Sequence, residues 1–294
     1  MSISRQNLSI VIVTFKSEVV IHECIKSIDK DIKIIVVENS NNFGFKDHLE
    51  MTYKNVSCVL SSDNLGMGAA NNIGIKKAET DFVLILNPDV ILQESTINEL
   101  IIAEKKISNF AILAPISSDI NYPNYKLDGE KKTINKDQSP FKVKSVDGFA
   151  MLFNKKKLDK IIFDEYFDEN FFMYLENDDI CKRIVDAEEN IYIAPTSKIK
   201  HLGGKAVNIK YKNEVELARN WHWVWSKFYF NKKHYGYSIA FTKGLPKFFS
   251  GLIKYIFYTL IKNKTKQRIY LNRALGFFNA AINKKSWYRP NINF

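Results

Sequence analysis

At 294 residues, with 46% hydrophobic and 26% charged residues, the chain has the composition of an ordinary soluble globular protein able to bury a full core. Its net charge of +11 belongs to one end: residues 1–200 hold 25 Lys and Arg against 30 Asp and Glu, whereas residues 201–294 hold 18 against 2. A basic tail can meet nucleic acid or the anionic lipids of a membrane face. No nucleic-acid-binding motif accompanies the charge, so a nucleic-acid-binding protein ranks last.

Leu8–Phe15 is a buried-strand run, and Ser17 is placed to cap a helix with one apolar face at Val20, Ile21, Cys24, Ile25 and Ile28. The N-terminus ahead of it does not read as a signal peptide. Ile32–Val37 and Val56–Leu60 are the next strands, and the polar loop Asp63–Gly68 leads into a helix ending near Ala78. Phe82–Leu86 is a continuous apolar strand that stops at Asn87-Pro88-Asp89. A strand of that kind delivers one carboxylate to the carboxyl edge of a parallel sheet, where ligands bind. The alternation of strand and helix is the βαβ rhythm of such a sheet.

Glu94–Lys106 is a helix, and residues 117–142 are a long surface excursion. Val143–Phe153 reads as one strand, Glu176–Cys181 opens a helix, and Ile191–Pro195 is a last short strand with His201-Leu202-Gly203-Gly204 in the turn after it. Cys24, Cys58 and Cys181 lack metal-ligand spacing, so buried free thiols in a reducing cytoplasm are expected. The tail is helical and aromatic around Trp221–Phe230. Phe248–Ile261 is too short for a membrane span and suits a helix lying in the interface, the alternative being a helical lid.

Several polar clusters thus stand at predicted strand ends, and their ordered set resembles a known family. Val11-Ile12-Val13-Thr14-Phe15, Val36–Ser40, Asn64-Leu65-Gly66, Ala70–Gly74, Leu86–Asp89, Phe167–Glu169, Phe171–Tyr174, Glu176–Cys181 and His201 with Gly203-Gly204 resemble inverting glycosyltransferases of family 2, in the rhamnosyltransferase-like branch. The likeness covers roughly residues 8–205; no single element is specific, and the order carries it. It implies an α/β GT-A fold, Rossmann-like, with a mostly parallel central sheet flanked by helices over residues 1–210 and a basic helical extension over residues 211–294.

The resemblance also implies roles. Thr14, Phe15, Glu38, Asn64, Gly66, Asn71 and Asn87 would bind the donor, with Glu38 where the family usually has Asp. Asp89 and His201 would hold Mg2+ or Mn2+. The family usually places its base at position 177, which is Asn here. The base is then Glu176, Asp178 or Asp179. Glu176 and Asp179 share a helical face and Asp178 points about 160° away from Glu176, which favours Glu176 with Asp179 as its charged neighbour. The activity implied is metal-dependent transfer of a hexosyl-type sugar from a nucleotide-diphosphate donor, with dTDP-rhamnose a candidate. The acceptor implied is a lipid-linked or oligosaccharide glycan of bacterial surface polysaccharide, at the inner, anionic face of the cell membrane. The alternative is a non-catalytic nucleotide-sugar-binding or scaffold protein of the same fold.

Overall fold

Side-chain alternation builds the sheet. In β1 (Leu8–Thr14) every residue is buried, with Leu8, Ile10 and Ile12 in one apolar cluster and Val11 in another. In β4 (Phe82–Leu86) the residues Phe82, Leu84 and Leu86 join the first cluster, and Val83 and Ile85 the second. A period of two with both faces apolar is what a central strand covered by helices on each side requires. The computed structural model describes residues 2–107, 109–119, 121–127 and 139–292.

The parallel half is made by β1, β2 (Lys33–Glu38), β3 (Val56–Leu60) and β4, with α1 (Ile21–Lys26), α2 (Phe43–Thr52) and α3 (Met67–Lys77) as crossovers. Then come β5 (Val90–Leu92), α4 (Thr96–Lys105), β6 (Ile112–Ser117), and the short strands β7 (Tyr125–Lys126), β8 (Phe141–Lys142) and β9 (Ser145–Val146). They are followed by β10 (Ala150–Asn154), α5 (Lys155–Leu158), α6 (Glu176–Asp186) and β11 (Ile191–His201). Among the described residues the main sheet has the order β3-β2-β1-β4-β10-β6-β11-β5, with β8 also on β11; β10, β5 and β8 run antiparallel to their neighbours.

Two sequence expectations change. Val143–Phe153 is not one strand: the chain leaves the ladder at Asp147–Phe149, so β9 and β10 belong to different sheets. The last strand does not stop at Pro195. A register shift between Ala194 and Lys198 absorbs the proline, and β11 continues to His201, which therefore ends a strand rather than sitting in a turn. Of the excursion expected at 117–142, position 120 and residues 128–138 lie outside the described residues. The three cysteines are buried and free, and burial pushes the thiols of Cys58 and Cys181 up to about 12.

The chain divides into two compact units, Met1–Asp168 with Asn177–Asn208, and Glu169–Glu176 with Ile209–Phe294. The second is built on α7 (Lys212–Tyr235), α8 (Tyr237–Leu260) and α9 (Lys264–Ala281), packed around Trp221, Trp225, Phe228 and Phe277. Residues 169–176 join it through aromatic contacts. Phe171 meets the ring of Tyr229 edge-on at 4.9 Å, the guanidinium of Arg289 lies 3.8 Å from the centre of Phe172, and Ser226 Oγ donates to Met173 O at 2.8 Å. His222 is buried there between Tyr288 O at 2.7 Å and Ser286 Oγ at 3.0 Å. Burial, helped by the charge of Arg289, pushes its pKa down to about 3. Among the described residues no helix is long and apolar enough to cross a membrane.

Candidate functional site

The antiparallel pairing of β5 with β11 creates the site's centre. Val90 stands opposite His201 in the ladder, so Asp89, one residue earlier, meets the chain just past His201. Leu202 N donates to Asp89 O at 2.9 Å, and Lys205 N reaches Asp89 Oδ2 at 3.3 Å. That return needs two successive left-handed residues, supplied by Gly203 (φ 62) and Gly204 (φ 66). Asp89 is 2% exposed, and its Oδ1 accepts no hydrogen bond; His201 Nε2 lies 3.5 Å from it. The imidazole is held in place by Phe149, stacked on it at 4.2 Å between centroids. Phe149 O in turn accepts from Asn87 N at 2.9 Å, which ties the turn after β4 to the same edge.

A buried carboxylate oxygen without a donor, facing an imidazole nitrogen at that distance, is chemistry suited to sharing a divalent cation. Among the described residues no three His, Cys, Asp or Glu side chains cluster to hold a metal by themselves, so the pair would make only part of a coordination shell.

The residues expected to bind a donor divide by what their side chains do. Asn71 Oδ1 and Asn87 Oδ1 are buried and accept no hydrogen bond, so both retain acceptor capacity. Asn64 and Gly66 form a loop whose organiser is Asn39, a residue of the Val36–Ser40 motif to which the sequence assigned no role of its own. Its Nδ2 donates to Asn64 Oδ1 at 3.1 Å and Gly66 O at 3.2 Å, and its Oδ1 accepts from Leu65 N at 3.0 Å and Ser61 Oγ at 2.9 Å. Gly66, at φ 85, then begins α3 in a conformation that other residues rarely adopt.

Glu38 and Thr14 differ from expectation. Glu38 has no exposed surface, and its oxygens accept from Ser40 N, Ser40 Oγ and Asn42 N. Both of its oxygens thus accept from its own turn, and the carboxylate shapes that loop. Thr14 is likewise fully buried, its hydroxyl directed to Val37 O at 3.4 Å. Phe15 is half-buried, with its N–H donating to Ser17 Oγ at 3.1 Å.

The acidic cluster on α6 also sorts itself. Asp179, expected to be a charged neighbour of the base, is wholly buried and bound by Arg183 Nε at 2.9 Å. Arg183 also donates to Glu165 O and Tyr166 O, so this pair secures the start of α6 and is closed to a substrate. Asp178 pairs with Lys126 at 2.6 Å. Asn177 Nδ2 donates to Val146 O at 2.9 Å, and a Cβ on Gly148 would lie 3.2 Å from Asn177 Cβ, so this asparagine is seated against the 146–148 segment.

Glu176 is the first residue of α6 and the last of the 169–176 segment, after Tyr174 (φ 70) and Leu175 (φ 68). Two consecutive bulky residues in the left-handed region store strain of roughly 1–3 kcal/mol each, and strain of this kind concentrates at functional positions. Asp147, a site residue not picked out from sequence, hydrogen-bonds Tyr122. Burial and then the nearby Asp178 hold its carboxyl above the usual range, while Tyr122, Lys126 and His201 pull the other way. The Asp147-Gly148 pair interrupting a strand pattern was the available signal.

Comparison with known proteins bears on the family and the fold. The family model described as Glycosyl transferase family 2 matches residues 9–162. The low-salt glycan biosynthesis hexosyltransferase Agl10 of Haloferax volcanii is 25% identical over an alignment of 218 residues that covers 69% of this chain and 68% of that protein. Among solved structures, residues 1-349 of S. aureus TarS superpose with a TM-score of 0.52 at 16% identity, covering 96% of this chain and 93% of that one. GalNAc-T7, crystallised with UDP, GalNAc and Mn2+, gives a TM-score of 0.53 at 16% identity over 73% of this chain, which spans only 50% of that longer one. At such identity these two show the shared fold, a GT-A arrangement of a curled, mostly parallel sheet flanked by helices.

Proposed function

Because the chain belongs to glycosyl transferase family 2, we propose that it is a divalent-metal-dependent, inverting sugar transferase using a nucleotide-diphosphate donor. The carrying observation is Asp89 Oδ1, buried without a hydrogen bond 3.5 Å from His201 Nε2. Asp89 and His201 would hold Mn2+ or Mg2+, which supplies neutralisation of the charge developing on the departing diphosphate. The Mn2+ and UDP in the GalNAc-T7 structure support the choice of cation class and of ligand.

Asn71, Asn87 and the Asn64–Gly66 loop bind and orient the donor, the first two through their open carbonyl oxygens. Glu176 takes the proton from the acceptor hydroxyl as that oxygen attacks the anomeric carbon and the bond to the diphosphate breaks. With Asp179 closed by Arg183 and position 177 an amide, Glu176 is the candidate base that the strained turn at Tyr174–Leu175 presents. The relative's name supports a hexosyl group and a glycan acceptor. A rhamnosyl donor, a lipid-linked acceptor of surface polysaccharide and work at an anionic inner membrane face extend that reading.

Asn177 favours a second reading, a binding or scaffold protein without turnover. Purified protein incubated with a panel of nucleotide-diphosphate sugars, with and without Mn2+, separates the two by release of free nucleotide diphosphate. Metal-dependent release supports the enzyme. Binding of donor and metal with no release in the presence of any glycan acceptor overturns it in favour of the scaffold.

A further inference from the structure

The smaller unit carries a helix with two apolar faces, and only one is covered. On α8, Ala240 and Gly251 are buried. A Cβ on Gly244 would lie 2.4 Å from Phe277, and one on Gly251 would meet Ala274 N and Tyr270 O at 3.5 Å, so this side is pressed onto α9 by its small residues. The other side presents Phe249 (53% exposed), Ile253 (67%), Ile256 (56%), Phe257 (53%) and Leu260 (75%). At about 100° per residue these five share an arc of about 100°. Lys243, Lys247 and Lys254 fall together on one flank of that arc, and Lys262, Lys264 and Lys266 follow the helix end.

We propose that this outer face of α8 inserts into the headgroup–acyl boundary of an anionic lipid bilayer, with α8 lying flat along the surface. The charge pattern selects the occupant. Residues 217–294 contain 15 Lys and Arg and no Asp or Glu. A second copy of the chain on this face would bring two such sets of positive charge together, whereas an anionic lipid surface neutralises one. Lysines beside an apolar stripe lay their methylenes along it and reach phosphate with their ammonium groups. Among the described residues no helix is long and apolar enough to cross a membrane, and in this proposal the face rests on the bilayer without spanning it. The inference rests on the membrane-face part of the function proposed above and is independent of the donor chemistry.

Flotation of the full chain with phosphatidylcholine vesicles, with and without phosphatidylglycerol, tests it. The wild type should float only with the anionic vesicles, and added salt should release it. Ile253→Gln combined with Phe257→Gln should abolish flotation, and Lys247→Gln, Lys254→Gln and Lys264→Gln together should weaken it about a hundredfold, at roughly fivefold per lysine. All five positions are exposed, and an unchanged unfolding temperature checks each fold. Flotation of both variants equal to that of the wild type overturns the proposal. So does a wild-type dimer that the Ile253/Phe257 variant converts to monomer while vesicle binding persists. Donor turnover measured without vesicles keeps the two readings apart: turnover without vesicle binding overturns only this one, and vesicle binding without turnover overturns only the enzyme.

Discussion

Replacing Asp89 by Asn should make the metal-free protein more stable and the enzyme inactive, a combination that a merely structural carboxylate cannot produce. In the wild type Oδ1 is buried with no donor, and such a group costs roughly 1–3 kcal/mol. The amide of Asp89→Asn has nearly the same shape. Its oxygen can keep the contact with Lys205 N, while its Nδ2 donates across the 3.5 Å gap to His201 Nε2. Relief of about 1 kcal/mol raises the unfolding temperature by about 2–4 °C in a unit of this size. Mn2+ at a hundred times its dissociation constant should stabilise the wild type by about 2.7 kcal/mol and the variant hardly at all. Transfer should fall by at least 10²-fold, because a bound cation accounts for several kcal/mol of transition-state stabilisation. Differential scanning fluorimetry with and without Mn2+, beside a nucleotide-release assay, reads all three effects. A variant less stable than wild type without metal, yet shifted as far by Mn2+, would refute the assignment of Asp89 as a ligand.

Glu176→Gln should retain donor binding in calorimetry and lose turnover by about 10²–10⁴-fold, whereas Asp179→Asn should instead lower the unfolding temperature by breaking the buried pair with Arg183; turnover lost in the second with stability intact would move the base to Asp179. His222 gives a pH signature: its folded pKa of about 3 lies below its ordinary 6.5, so the unfolded chain takes up a proton that the folded one refuses. That stability is full above pH 6.5 and is lost as pH falls from there towards 3, by about 2 kcal/mol at pH 5. His222→Gln should flatten this slope in urea titrations, and an unchanged slope would show that the imidazole is not the source. Gly276→Ala should destabilise the helical unit by about 1–3 kcal/mol, because its Cβ would lie 2.4 Å from Trp221 O. Gly44→Ala in α2 meets nothing closer than 3.7 Å and should stabilise by about 0.4–1 kcal/mol, so similar melting of the two variants would contradict the packing described.

The parallel half of the sheet was legible because its signals are local. Phe82–Leu86 and Val56–Leu60 are bounded as read, since an apolar run ended by Asn-Pro-Asp or flanked by polar loops leaves little choice. The antiparallel half was not. Whether Val143–Phe153 is one strand or two depends on which partners it meets. Nothing local announces that a strand passing through Pro195 shifts register and continues six residues to His201. Likewise, the aromatic residues at 171–174 look like any core run. Their partners, Tyr229, Arg289 and Ser226, lie more than fifty residues away.

At the site, a residue's type was readable and its use was not. Glu38, Asp179 and Asp89 are all acidic residues near strand ends or a helix start, and composition cannot rank them. The structure ranks them by hydrogen bonding. Glu38 is satisfied by its own turn, Asp179 by Arg183, and only Asp89 keeps a buried oxygen open. Folding has every reason to satisfy a buried carboxylate when a donor is within reach. Ser40 and Asn42 serve Glu38 within four residues, and Arg183 serves Asp179 one turn away, so both solutions are local. Asp89 has His201 beside it and the backbone donor Lys205 N on its other carboxylate oxygen, yet Oδ1 remains unfilled. An acceptor left open in an otherwise well-bonded turn is the feature that a cation would complete.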